Sequence, residues 1–333
     1  MADEGRQDRG SAAGSKETWP ATAASSRTMF NAPVCADLGT LTAQVAFLGV
    51  PFDQGTIARP GARFGPNALR DAEVYNYYGY LGGLAAEREP AAGYYDIDAG
   101  ATLLRGVTMA DCGNVNVVPS GVELSFDRVT RAVRQMLGRD ALPVLLGGDH
   151  AITYPAVSAF DGVSALDVLH FDAHMDYVHD YQGVLLTHGS PIRRCAELPF
   201  VRSITSIGVR VARREPYEDA LRRGNRVITA DRFRQLGPRE SAAQVPSTGA
   251  LYVTVDVDVL DPTVAPGTGA PVAGGLTYLE LREALRAIPS RGRVVGFDVV
   301  EVAPPYDVAG NTAGVAAKLV LDLVTAVFST RSS

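Results

Sequence analysis

From Val45 onward, short apolar runs alternate with stretches whose apolar residues recur at helical spacing. Val45–Val50, Leu142–Leu146, Asp167–Phe171, Ile204–Val209, Leu251–Leu260 and Val294–Val299 read as strands. Their near-continuous Val, Leu and Ile content, without strict polar alternation, predicts strands covered on both faces. Between them, Val129, Val133, Met136 and Leu137 mark one face of a helix over Phe126–Leu137, with Ser125 as its cap. Thr277 is placed to cap a second helix, Tyr278–Ala287, with Leu279, Leu281, Leu285 and Ile288 as apolar positions. Asn311 to Phe328 closes the chain with Val315, Leu319, Leu323 and Val327 at helical spacing. Strands alternating with helices predict βαβ units, an α/β fold with a mostly parallel sheet between helical layers.

No shift in composition splits this pattern, so residues 29–333 read as one domain. Residues 1–28 are rich in Ala, Ser, Gly and charge; they bury too little to order themselves and read as a flexible tail. Trp19, the only tryptophan, lies in that tail and reads as an anchor on a neighbouring surface.

Composition removes several classes. The 333 residues are 46% hydrophobic and 20% charged, which excludes a disordered, collagenous or disulfide-stapled chain. A net charge of −6 and a pI near 5.4 argue against nucleic-acid or anionic-membrane partners, which demand clustered Lys and Arg. Cys35, Cys112 and Cys195 show no paired spacing and read as reduced thiols. No run of about 18 apolar residues stands out, and Met1–Thr28 lacks the apolar stretch of a secretory signal. The expectation is a cytoplasmic protein without membrane contact.

The histidines change the picture. All five, His150, His170, His174, His179 and His188, lie within one short stretch of the chain. Three predicted strands run directly into ligand-type residues: Gly147-Gly148-Asp149-His150, Asp172-Ala173-His174-Met175-Asp176, and Asp256-Val257-Asp258-Val259-Leu260-Asp261-Pro262. In open parallel sheets, sites form at the carboxyl ends of strands. Alternation along an extended chain would point Asp172, His174 and Asp176 one way, and likewise Asp256 with Asp258. So many carboxylates at buried strand ends are unfavourable unless cations compensate them. Asp172, Asp176, Asp256 and Asp258 supply four negative charges, matched by two divalent cations, with His150 and His174 as neutral nitrogen ligands. The balance favours a binuclear site with the metals about 3.5–4 Å apart.

These three segments resemble the metal motifs of the ureohydrolases, the arginase and agmatinase family. The resemblance spans roughly residues 45 to 328 and includes Gly49–Asp53, Arg59–Pro66, Ala265–Gly269 and Asp298–Val302. No metal-site position of the family pattern is missing. It implies an arginase-like three-layer αβα fold with about eight strands. One metal would be held by His150, Asp172, Asp176 and Asp256, the other by His174, Asp172, Asp256 and Asp258. Hydroxide formed between them would attack a guanidinium carbon to give urea and an amine. The same likeness gives Glu301 the substrate guanidinium, gives Asp176 a second role in orienting the hydroxide, and makes His188 a proton-handling or substrate-contacting residue. His170 and His179 have no ligand role in the pattern.

The family also bears on substrate and assembly. Arginases carry an asparagine where this chain has Val178, and His188–Arg194 looks like the agmatinase branch. Agmatine, cleaved to putrescine and urea, is therefore the first expectation. Guanidino acids such as 4-guanidinobutanoate or 3-guanidinopropanoate are the alternative, with another guanidine hydrolysed by a nickel enzyme also open. Arg193 and Arg194 could pair a substrate carboxylate but read better as serving a helix surface or subunit contact. Mn²⁺ is the expected metal, with Ni²⁺ used by some relatives, and the family suggests homo-oligomers, trimers or hexamers. A single-zinc amide hydrolase of the same fold would lack the second His and Asp set. Loss of ligands would mark a non-catalytic subunit, and all are present. Phosphate chemistry lacks its glycine-rich loop here.

Overall fold

The computed structural model describes residues 27–72, 93–246 and 249–329. The tail as far as residue 26, with Trp19, lies outside the described residues, and so do Tyr75, Tyr77, Tyr78 and Tyr80, a tyrosine cluster that from sequence could line either a pocket or an interface.

The strands in chain order are β1 (Val45–Val50), β2 (Tyr94–Asp96), β3 (Ala101–Leu103), β4 (Met109–Asn114), β5 (Leu142–Gly147), β6 (Leu166–Phe171), β7 (Val201–Val209), β8 (Arg226–Thr229), β9 (Ala250–Asp256) and β10 (Arg293–Val300). Eight of them form one sheet in the order β4-β1-β5-β10-β9-β6-β7-β8, while β2 and β3 make a separate hairpin. Every pairing within the large sheet is parallel.

The apolar continuity of the strands has the expected cause. Alternate residues enter two different cores. Phe47, Val144, Leu146, Phe171, Val253, Val255 and Phe297 pack beneath the helices Gly65–Asp71, Ala230–Leu236, Tyr278–Ala287 and Asn311–Ser329. Leu48, Val50, Leu145, Val168 and Tyr252 face the helices Val122–Leu137, Thr153–Ser158 and Pro191–Ala196 on the other side. The result is a three-layer αβα arrangement.

Asn311–Ser329 is the one described helix long and apolar enough to cross a bilayer, and 78% of that window is buried inside the protein. Its apolar surface is used by the core.

Thr277 caps Tyr278–Ala287 as expected, and Glu280 completes a reciprocal capping box. Ser125 does not cap. The helix begins at Val122 with Gly121 as N-cap, and the Ser125 hydroxyl donates to Gly121 O while accepting from Val118 N–H. A serine one turn inside a helix can bond the preceding carbonyl, so its side chain imitated a cap from sequence. The run Leu251–Leu260 also divides, with β9 stopping at Asp256 before a 3-10 turn, Val257–Val259. Met109–Asn114 and Arg226–Thr229 were not visible as strands. β4 carries Asp111, Gly113 and Asn114, which break its apolar run. Asp111 and Asn114 there bind the buried Arg70 guanidinium.

Candidate metal centre

The four central strands, β5, β10, β9 and β6, are neighbours and end at one edge of the sheet. Val299 is level with Leu146, Val300 with Asp256, and Phe171 with Val255. The residues that follow each strand therefore meet, although His150 and Glu301 are 151 positions apart.

The extended alternation expected for Asp172–Asp176 and Asp256–Asp258 is not what brings their side chains together. Both segments turn. Asp172 Oδ1 accepts the His174 N–H at 2.6 Å, and Asp256 Oδ1 accepts the Asp258 N–H at 2.8 Å. Where a buried strand stops, its next N–H groups lose their ladder partners, and a short carboxylate side chain supplies an acceptor. Asp176 adopts φ 45° and Glu301 φ 65°. Non-glycine residues seldom hold this left-handed conformation unless surrounding contacts impose it.

His150 Nδ1 lies 3.2 Å from Asp172 Oδ2, 3.0 Å from Asp176 Oδ2 and 3.3 Å from Asp256 Oδ2. It is buried yet makes no hydrogen bond. His174 Nδ1 lies 3.0 Å from Asp258 Oδ2 and 3.3 Å from Asp172 Oδ1. Asp172 thus offers one oxygen to each histidine. An unbonded imidazole nitrogen facing three carboxylates, beside a second such group, suits a pair of divalent cations.

A ring of further residues fixes these ligands. Thr254 Oγ1 donates to Asp298 Oδ1 at 2.5 Å, so it accepts from His150 Nε2–H at 2.9 Å and leaves Nδ1 with its lone pair. Thr153 and Tyr252 hydroxyls donate to Asp298 Oδ2. His170 Nε2 sits 2.8 Å from Asp172 Oδ2, and its Nδ1 3.0 Å from Ser206 Oγ, so it orients the carboxylate it precedes. Asp298 stood in a motif without a role; Thr254, Thr153 and Tyr252 were missed. Thr254 shares the face of Asp256 two positions on, and that spacing could have found it.

The glycines of the first motif answer to backbone crowding. A Cβ at Gly148 would stand 2.3 Å from Phe52 O and 2.5 Å from Val50 O. Asp149 then accepts N–H groups from Ala151 and Gly55, and Gly55 O accepts from His188 N–H.

Glu301 Oε1 accepts from the His150 N–H at 2.9 Å and faces His188 Nδ1 at 3.0 Å. His188 Nε2 accepts the Ile57 N–H at 3.1 Å, so the proton on Nδ1 points to Glu301. Burial opposes charging His188, but the Glu301 hydrogen bond and nearby carboxylates raise its pKa to about 9. Glu301 Oε2 has no hydrogen bond among the described residues and borders a cavity of about 330 Å³. Asp176, Asp256, Asp258, His174 and His188 share its floor, while Met175, Val178 and Tyr181 form part of the wall. At Gly269, also in the wall, an added Cβ would come 3.5 Å from Glu301 Oε2.

All eight sequence-derived site residues meet here. Arg193 and Arg194 do not join them: they pair with Glu197, and Arg193 also with Asp219. His179 Nδ1 is an acceptor for Arg194 at 3.4 Å.

The charge imbalance appears in the proton affinities. Burial, with repulsion from Asp258 and Asp172, holds Asp256 well above the usual carboxylate range. Burial and Asp172 push Asp258 up to about 7. Burial opposes protonation of His174, but Asp172 and Asp258 outweigh it and raise its pKa to about 12. Protons therefore compete with cations. Metal binding is expected to release protons near neutral pH and to weaken as pH falls. Calorimetry in buffers of different ionisation enthalpy reads this directly; identical heats would contradict it. Asp258 keeps its proton to about pH 7 when folded but only to about pH 4 when unfolded. Its contribution to metal-free stability is present below that window and lost as pH rises through it.

A profile of the Arginase family matches residues 43–325. The chain belongs to that family. Guanidinopropionase of Pseudomonas aeruginosa is 37% identical over 308 residues, 89% of this chain and 90% of the relative. Agmatinase of Bacillus subtilis is 34% identical, covering 85% and 91%. Among solved structures, proclavaminate amidino hydrolase from Streptomyces clavuligerus superposes with a TM-score of 0.78 at 32% identity, covering 90% of this chain and 96% of that one. The eight-stranded parallel sheet between helical layers is thus the arginase-like fold.

Proposed function

We propose that this arginase-family chain is a two-metal hydrolase that cleaves a small guanidino compound to urea and an amine. The observation that carries the proposal is the pairing of two features in one cavity. His150 Nδ1 is left unbonded among three carboxylates, and Glu301 Oε2 is left open beside them. Relatives named guanidinopropionase and agmatinase support the same chemistry.

His150, Asp172, Asp176 and Asp256 would hold one cation, and His174, Asp172, Asp256 and Asp258 the other. When bound, the pair supplies a nucleophile at neutral pH and stabilises charge in the tetrahedral transition state. The protein's own groups do the rest. Glu301 Oε2 accepts N–H groups of the guanidinium, a planar cation that a carboxylate matches well. Its Oε1 is pinned by His150 and His188, so the free oxygen is already aimed when substrate arrives. Asp176, at the rim of the cluster, accepts the proton of the attacking water and fixes its direction. His188 steadies Glu301 through Nδ1–H; with its raised affinity for protons, Nε2 can take up a proton from solvent in place of the Ile57 hydrogen bond and pass it to the leaving amine.

Val178 and Tyr181 in the wall bring no carboxylate to an α-ammonium group, and outside the metal cluster and Glu301 the described lining holds none, which disfavours arginine. Nitrogen and carboxylate donors suit Mn²⁺ first and Ni²⁺ as the alternative.

The test is urea release from agmatine, 4-guanidinobutanoate, 3-guanidinopropanoate, arginine and guanidine, with Mn²⁺ and Ni²⁺ in parallel. Urea from at least one small guanidino compound, dependent on added metal and lost on chelation, is the expected result. Metal-replete protein that forms urea from none of them would sink the proposal.

A further inference from the structure

Burial separates the charged residues that line the cavity. Asp256, Asp258 and Glu301 are buried, with Asp176 nearly so, and mark its floor; among the described lining residues the only other charged groups besides the histidines, Arg59 and Arg213, are exposed and mark its mouth. Between floor and mouth the wall is largely apolar, with Met175, Val178 and Val211 among its members. Such a passage suits a molecule with a cation at one end, a few methylenes, and an anion at the other.

The two arginines differ in how they are held. The Arg59 guanidinium lies 3.9 Å from the Tyr306 ring centroid, which occupies its face. Arg213 is exposed at the N-cap of the helix Arg214–Arg222, and among the described residues it has no acidic partner. At the other end of that helix, Arg222 and Arg223 both pair with Asp219. A cation at a helix start is opposed by the macrodipole, where an acidic residue would be favoured. Local stability therefore gives no reason for an arginine at this position, whereas an anionic ligand does.

We propose that Arg213 is a specificity-determining residue that binds the carboxylate of a guanidino acid, whose guanidinium is held by Glu301. This rests on the guanidino-hydrolase function proposed above and names its substrate class. It also reverses the order expected from sequence, in which agmatine came first. The distal ammonium of agmatine would meet Arg213 and Arg59 with no described acid lining the mouth, and like charges at such a site select against it. A planar fork of donors at the mouth is well matched to a carboxylate.

The experiment compares kcat and KM for 4-guanidinobutanoate, 3-guanidinopropanoate and agmatine in the metal-loaded wild type, Arg213→Lys, Arg213→Ala and Arg213→Glu. The wild type is expected to prefer at least one of the acids to agmatine. Arg213→Ala should raise KM for that acid about tenfold or more with little change in kcat, because the group lies far from the reacting bond. Arg213→Lys should recover part of the loss. Arg213→Glu should lower the acid-to-agmatine ratio of kcat/KM by about a hundredfold or more. A wild type that favours agmatine, or a ratio unmoved by charge reversal, overturns the role of Arg213 while leaving urea formation intact. Failure of the wild type on all three would instead strike the underlying hydrolase proposal.

Discussion

Asp172→Asn is expected to reduce urea release by about a thousandfold or more, while the fold survives. Asp172 is the residue that faces both histidines, with Oδ2 3.2 Å from His150 Nδ1 and Oδ1 3.3 Å from His174 Nδ1. An amide of the same shape brings one neutral oxygen and one N–H₂ group in place of two anionic oxygens, and it cannot serve two cations at once. Loss of a preorganised electrostatic element at a reaction centre costs about 10²–10³ in rate, and this substitution also weakens the holding of both metals. Metal-free stability should fall somewhat: burial opposes the charge on Asp172, but His150, His170 and His174 outweigh it and hold this carboxyl well below the usual range, so the substitution removes their counter-charge. The stabilisation conferred by added metal should shrink sharply, since it depends on differential binding to the folded chain. Urea assay, metal content and thermal melting with and without metal test all three parts. Full activity with two bound metals would refute the shared-carboxylate centre.

Glu301→Gln separates substrate binding from metal binding. Its Oε1 accepts the His150 N–H at 2.9 Å, a role an amide oxygen can retain. The amide N–H₂ then occupies the place of Oε2 and meets the N–H groups of a guanidinium, donor against donor. Removing one partner of a desolvated charge pair costs about 2–5 kcal/mol, so kcat/KM should fall about a hundredfold or more. Two metals should stay bound, because Glu301 contributes to the backbone of the ligand turn and not to the ligand set. Loss of metal in step with activity would show instead that Glu301 serves mainly to hold His150.

The legible parts of the chain were those where local chemistry and tertiary role coincide. β1, β5 and β6 appeared as apolar runs because they are covered on both faces, and Thr277 announced its helix because cap and capping box are local. β4 did not appear, since Asp111 and Asn114 interrupt it to bind Arg70 from a distant helix. Ser125 misled because a hydroxyl bonded to a carbonyl one turn back looks, in sequence, like a cap.

At the site, the identity of the ligand-type residues was written in three short segments, but the reason for their convergence was not. Alternation suggested shared faces for Asp172 with Asp176 and Asp256 with Asp258; the chain turns instead, with carboxylates bonded to their own backbone. The helpers were harder still. Thr254 and Asp298 are ordinary core-strand residues until the sheet order sets β9 beside β10.

By itself, then, the sequence determined most of the strands covered on both sides, those with unbroken apolar runs, and which side chains must be compensated by cation charge. Those follow from burial and from the cost of placing carboxylates in a dry interior. Tertiary structure alone decided that β5, β10, β9 and β6 stand side by side, that Glu301 keeps one oxygen open, and that the exposed Arg213 lines the same cavity. Charge along a chain has no direction until folding assigns each group a place and a neighbour.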